Sequence, residues 1–150
     1  MEEYHLEQPE INLASGSLRL EQLNAIFATI DQEFDFIDEK DIVRWYSNSP
    51  QRLFKREPKH LNQHVLDVHP AHSAGRVKQV LAEMHNGTTG KVAMTVPIRG
   101  KQVHMAFYAL HNPSGDYIGC IEVTEDITTY TKTTKFGNFL KLLKLTRKYK

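Results

Sequence analysis

Hydrophobic positions along the chain switch between a helical and a strand period. Leu20, Leu23, Ile26, Phe27 and Ile30 recur three or four residues apart. That spacing predicts a helix with one apolar face. Ser17 stands before it as an N-cap, and Glu21 puts an acid early in the helix. Residues 1–17 are polar and contain Pro9 and Gly16; they read as a flexible lead-in with a short extended piece at residues 11–14. Phe34 and Phe36, then Ile42, Val43, Trp45 and Tyr46, flank the run Asp38-Glu39-Lys40-Asp41, the pattern of a hairpin around a polar turn. Residues 47–60 are polar, with Pro50 and Pro58, and a helical turn is expected at residues 51–55. A second helix is predicted over residues 71–85, with Val77, Val80, Leu81 and Met84 on its apolar face and Asn86-Gly87 as its stop.

Three strands follow, over residues 91–98, 102–110 and 117–123. In the middle one Val103, Met105, Phe107 and Ala109 share one face, and His104, Ala106, Tyr108 and Leu110 share the other. Arg99-Gly100-Lys101 and Asn112-Pro113-Ser114-Gly115-Asp116 are turns, so these strands form a meander. Five strands with helices gathered between the second and third give an α+β class: a five-stranded antiparallel sheet, a helical connection covering one face, and flanking N- and C-terminal helices. A pocket between connection and sheet is expected.

Charge alters the domain picture. The 150 residues sum to +1, but residues 1–131 carry −6 and residues 132–150 carry +7 with no acid at all. The division expected is a lead-in at 1–17, a folded body at 18–131 and a basic amphipathic tail at 132–150, whose Phe136, Phe139, Leu140, Leu142, Leu143 and Leu145 suit docking on protein. An acidic body argues against a nucleic-acid-binding domain. No run approaches the roughly 20 apolar residues of a membrane span, and the acidic N-terminus is no secretory signal. One cysteine, Cys120, leaves no internal disulfide or Cys-rich zinc site and suits the cytoplasm.

Several stretches carry a resemblance: FDFIDEKDIVRWYS, HVLDVHPAHSAGRVKQVLAEM and VHMAFYALHNPSGDYIGCIEVTEDIT. Their order, and the closing run from Asn112-Pro113-Ser114-Gly115 to Glu125-Asp126-Ile127-Thr128, resemble a PAS sensory domain over about residues 20–130. More closely, the chain is similar to PAS domains that follow hemerythrin-like domains in bacterial and archaeal proteins. The carrying residues there are Tyr46-Ser47, Arg56-Glu57-Pro58, His69-Pro70, Ser73 and His104; Ala106 departs from the basic residue expected there. The resemblance implies a non-catalytic bacterial module for ligand sensing or protein interaction in signal transduction, and suggests a C-terminal fragment or a stand-alone relative. It also implies that the helix carrying Leu20, Leu23, Ile26, Phe27 and Ile30 forms a homodimer or else simply packs on its own sheet.

Candidate chemistry rests on eight histidines. His60 and His64, four apart, have zinc-ligand spacing but no evident third ligand; capping or surface roles are the plainer reading. The resemblance puts His69 in the pocket lining, where a neutral imidazole can serve as an axial haem ligand, or can hydrogen-bond backbone and hold the loop. If His69 and His104 met across the pocket they would bind one polar ligand or titrate together. Trp45, Tyr46, Met94, Met105, Phe107 and Tyr108 are core residues or, with His69 and His104, ligand contacts. Cys120 reads as a small buried apolar residue, and no cysteine in residues 47–85 is available for flavin photochemistry. Asp35, Asp38 and Asp41 read as solvated hairpin charges. No nucleophile or phosphate-loop motif is present, so catalysis is not expected.

Overall fold

The computed structural model describes residues 9–131; the basic tail at 132–150 lies outside the described residues. A small hairpin comes first, β1 (Glu10–Leu13) paired antiparallel with β2 (Gly16–Arg19). It places the start of helix α1 (Leu20–Thr29) two residues later than a Ser17 cap would. Ser17 Oγ instead donates to Glu10 across the hairpin, 3.2 Å away. Arg19 is the N-cap, and its N–H donates to Gln22 Oε1 at 2.9 Å.

The main sheet has the order β4-β3-β7-β6-β5 and is antiparallel throughout. Its strands are β3 (Glu33–Asp38), β4 (Val43–Tyr46), β5 (Lys91–Ile98), β6 (Lys101–His111) and β7 (Tyr117–Asp126). The β5–β6 turn uses Arg99 and Gly100, both at positive φ, as a two-residue hairpin requires. Asn112 Oδ1 closes the next turn by accepting from the N–H groups of Ser114 and Asp116. Gly119 is needed for a different reason. Its φ is +139°, and a Cβ there would lie 2.3 Å from the Ile37 carbonyl oxygen and 2.8 Å from the Phe36 ring.

Between β4 and β5 run a short 3-10 helix (Pro58–His60), α2 (Val65–Val68) and α3 (Ala71–His85). The expected helical turn at residues 51–55 is absent; that segment is held by side-chain bonds instead. Backbone bonds from Asn62 N–H to Val43 O and from Val65 N–H to Asp41 O, both 2.8 Å, tie the connection along β4. α3 ends at Asn86 and Gly87 (φ +75°), and His85 Nε2 lies 2.9 Å from Asp41 Oδ1, fastening the helix to the β3–β4 turn. The core lies between α3 and the sheet: Val77, Val80, Leu81 and Met84 pack with Ile37, Val43, Val65, Phe107 and Cys120. Burial pushes the Cys120 thiol up to about 12, consistent with an inert core residue. A final turn, α4 (Thr128–Thr131), follows β7.

Candidate functional site

Register divides the sheet into two unlike faces. On the inner face, under the helical connection, stand Glu33, Asp35 and Ile37 of β3, Cys120, Glu122 and Thr124 of β7, Val103, Met105 and Phe107 of β6, and Val92, Met94 and Val96 of β5. The outer face carries Phe34, Phe36, Trp45, Ile121, Val123, His104, Ala106 and Tyr108.

The acids on β3 are not solvated. Asp35 is 4% exposed and Glu33 3%, so the reading of Asp35 as a hairpin charge in water is corrected; Asp38 is buried too, accepting from the N–H groups of Lys40 and Ile42. Arg52 and Arg56 reach in from the loop after β4. Arg52 Nη2 is 2.7 Å from Asp35 Oδ2, and Arg56 Nε is 2.9 Å from Asp35 Oδ1. Glu33 accepts from the N–H groups of Leu53 and Phe54 and lies 3.7 Å from Arg52. Arg52 also donates to Ser47 O at 2.8 Å and Ser47 Oγ at 3.2 Å. Buried charge is tolerated when paired and hydrogen-bonded, and these four residues meet that condition.

Beside them opens a cavity of about 580 Å³ between α3 and the sheet, within the range of small-molecule sites. Its walls are mostly apolar: Val77 and Val80 from α3, Met94, Val96 and Ile98 from β5, Met105 and Phe107 from β6. Lys55, His72 and Arg76 stand exposed at its rim.

Two polar groups inside it lack partners. Glu122 is 6% exposed, lines the cavity, and its carboxyl makes no hydrogen bond among the described residues. Burial pushes Glu122 up to about 7; repulsion from Asp35 and Glu33 adds to this, against the pull of Arg56 and Arg52. His69 closes α2 and faces the cavity half-buried. Burial, with Arg56 nearby, holds its imidazole below the usual histidine range, Asp35 opposing. Its side chain has no hydrogen-bond partner among the described residues, so it does not pin the loop.

Of the contacts expected from sequence, His69, Met94, Met105 and Phe107 line the cavity. Tyr46 is on the inner side beside the charged cluster, with the Arg52 guanidinium 5.7 Å from its ring, and does not reach the cavity wall. Trp45, His104 and Tyr108 are on the outer face. His104 Nδ1 sits 3.0 Å from Thr95 Oγ1, so His69 and His104 do not meet: the sheet lies between them. Trp45 packs edge-on against Phe27 of α1 at 4.8 Å, and Tyr108 lies under Lys91. His60 and His64 take the capping role, their Nδ1 atoms accepting from Glu57 N–H and Leu66 N–H. Sequence reasoning did not single out Glu33, Arg52 and Glu122. Their signal was weak: acids two apart on one strand, and one acid within an apolar strand.

Comparisons with known proteins agree on the fold. The family model for the PAS domain matches residues 23–128. A crystal structure of a C-terminal domain from Streptococcus mutans is similar at 28% identity and TM-score 0.78, covering 85% of this chain and 98% of that one. A PAS domain from Colwellia psychrerythraea matches at 14% identity and TM-score 0.55, covering 73% and 98%. A sensory box sensor histidine kinase from Vibrio cholerae matches at 10% identity and TM-score 0.53, covering 72% and 91%. No curated protein matches.

Proposed function

The chain belongs to the PAS domain family, and on that footing we propose that it is a ligand-sensing module of a signalling protein, acting without catalysis. The observation that supports this reading is the 580 Å³ apolar cavity under α3. A ligand seated there touches both α3 and the β5–β6 wall, so it favours whichever arrangement of the two fits it, and that difference is what a signal requires. Contacts proposed from the geometry are His69, Met94, Met105 and Phe107, with Glu122 added. Native mass spectrometry of the purified chain tests the reading. A small molecule retained by the wild type and lost from Val77→Trp, which fills the cavity, is the expected result. Equal retention by both would place the ligand elsewhere.

We further propose that two copies associate through α1. None of its residues is buried in the protomer, Leu20 is 46% and Ile26 42% exposed, and Phe27 is its anchor on the outer face, 5.3 Å from Phe34. The partner proposed is therefore a second copy of this chain. Ile26→Asp should convert a dimer to a monomer in light scattering; an unchanged mass would sink the proposal.

The context expected from sequence, a PAS domain placed after another domain in a bacterial protein, is kept as a proposal. It is supported by the streptococcal neighbour, itself described as a C-terminal domain. Among the described residues no helix is long and apolar enough to cross a membrane; a cytoplasmic setting is proposed from the buried free thiol of Cys120.

A second reading makes His69 the axial ligand of a haem, which would bring gas or redox sensing. It is favoured by an imidazole kept neutral and facing an apolar cavity. Haem addition should then give a Soret band that His69→Ala abolishes.

A further inference from the structure

The cavity contains one feature that an apolar site would not keep. Glu122 is more than nine-tenths buried, faces the space and has no hydrogen bond among the described residues. A buried polar group without a partner is costly, and such groups in native proteins call for an explanation.

The charges around it leave it no counter-ion. From β3 it faces Asp35 and Glu33, and from the loop after β4, Arg52 and Arg56; His69 of the helical connection lines the same cavity. Val77 and Val80 of α3 and its cross-strand neighbour Phe107 bring no charge. Arg52 is taken up by Asp35, Glu33 and Ser47, and Arg56, which also lines the cavity, gives its Nε to Asp35, so two cations face three acids. An ionised Glu122 leaves this group one negative charge in excess; a protonated one leaves it neutral. The second unpartnered group, His69, is held neutral and so offers a ring nitrogen that can accept. Lys55, His72 and Arg76 are exposed at the rim, where water and salt screen them.

We propose that the ligand of this pocket is a small molecule with an apolar body that presents an N–H donor, as an amine or an N–H heterocycle, to the Glu122 carboxyl, and that such a donor is preferred there to a carboxylate. The body lies against Met94, Met105 and Phe107, and the donor gives the Glu122 carboxyl the partner that the fold does not supply. This inference rests on the pocket being the sensing site. With a protonated amine, binding below neutral pH is an exchange: the ammonium takes the place of the Glu122 proton, and that proton leaves to solvent.

Three probes on one phenylethyl frame separate the alternatives on the full chain: 2-phenylethylamine, 3-phenylpropanamide and 3-phenylpropanoate, measured by calorimetry. The amine and the amide should bind, and the amine should exceed the acid by about tenfold or more, the worth of a charge-assisted hydrogen bond. In Glu122→Gln that preference should vanish while the fold, read by circular dichroism, persists. If that variant does not fold, proton release decides on the wild type: at pH 6, amine binding in buffers of different ionisation enthalpy should release roughly one proton. Acid binding as tight as amine binding, a preference that survives Glu122→Gln, or amine uptake without proton release would each overturn the inference and leave the pocket reading standing. Failure of all three probes to bind would overturn it as well. If no small molecule co-purifies either, the pocket reading falls with it.

Discussion

The two faces of the sheet solve the same problem with different materials. Outside, Phe34, Phe36, Trp45, Ile121 and Val123 form a half-buried apolar surface on which α1 rests through Phe27. Inside, the same strands point Glu33, Asp35 and Glu122 at a helical cover, and more than nine-tenths of each acid is withdrawn from water. The apolar face tolerates loose contact because dispersion and area burial have no directional requirement. The charged face does not. Four of its five charged residues are locked in a network, and the fifth, Glu122, is left over at the edge of a cavity. The difference teaches that the inner face is built in two halves: a closed polar hub that holds the loop after β4, and an open apolar pocket that begins where the hub runs out of cations.

The sharpest way to break this comparison is Arg52→Ala. It strands Asp35 and Glu33 without their shared cation and removes the donors to Ser47 O and Ser47 Oγ. Taking one partner from a buried charged network costs roughly 3–5 kcal/mol, which a urea melt resolves. Trp45→Ala on the outer face, half-buried and with no side-chain hydrogen bond among the described residues, should cost clearly less despite removing more atoms. Equal losses would mean that the hub is no more demanding than the apolar face. Next in size is Gly119→Ala, the outer face's own strict position. A Cβ at 2.3 Å from the Ile37 carbonyl at φ +139° forces the β3–β7 pair apart, at roughly 2–4 kcal/mol for overpacking and backbone strain together.

Much of the frame was legible in the chain. The 3.6-residue period set α3 at residues 71–85 with the four residues it buries, and the turn residues separated β5, β6 and β7. Alternation in β6 also put His104 and Tyr108 opposite Phe107, yet naming all three as ligand contacts ignored that division. The hub escaped for a physical reason. In Glu33-Phe34-Asp35-Phe36 the aromatic side reads as core and the acidic side as surface, because unpaired acids are almost never buried. The structure inverts this, since Arg52 and Arg56 arrive about twenty residues later to pair the acids, and no local period records a partner at that distance. The same loop was expected to turn as a helix; its backbone N–H groups at Leu53 and Phe54 serve Glu33 instead. The β1–β2 hairpin was missed because a four-residue strand with little burial has almost no hydrophobic alternation to read.

Glu122→Gln sharpens the boundary between hub and pocket. Because Glu122 titrates near 7 in the folded chain and at about 4.5 unfolded, the folded state holds the extra proton between those values. Wild-type stability should therefore fall as pH rises from about 4.5 to about 7 and then level off, with a total loss of roughly 1–3 kcal/mol. Glutamine has no proton to lose. Melts of wild type and variant at pH 5 and pH 8 give the difference directly: the variant should gain on the wild type at pH 8. A constant offset at both values would show that Glu122 is already charged and paired.

The smallest expected effect is the most discriminating one. His104 and His69 are both half-buried imidazoles, and the sequence invites treating them as a pair. On the outer face His104 has Thr95 as its partner, so His104→Ala removes a single exposed-side hydrogen bond, worth about 1 kcal/mol or less. His69 has no such bond to lose, and its ring forms part of the cavity wall. The two variants should therefore part company in opposite readouts. His104→Ala should lower stability slightly and leave 2-phenylethylamine affinity as it is. His69→Ala should barely move stability and change that affinity, because it alters the lining of the cavity that Glu122 faces. Calorimetry and urea melts on the two variants suffice. A comparable affinity change from His104→Ala would mean that the sheet transmits across its thickness, and the two faces would then have to be treated as one site.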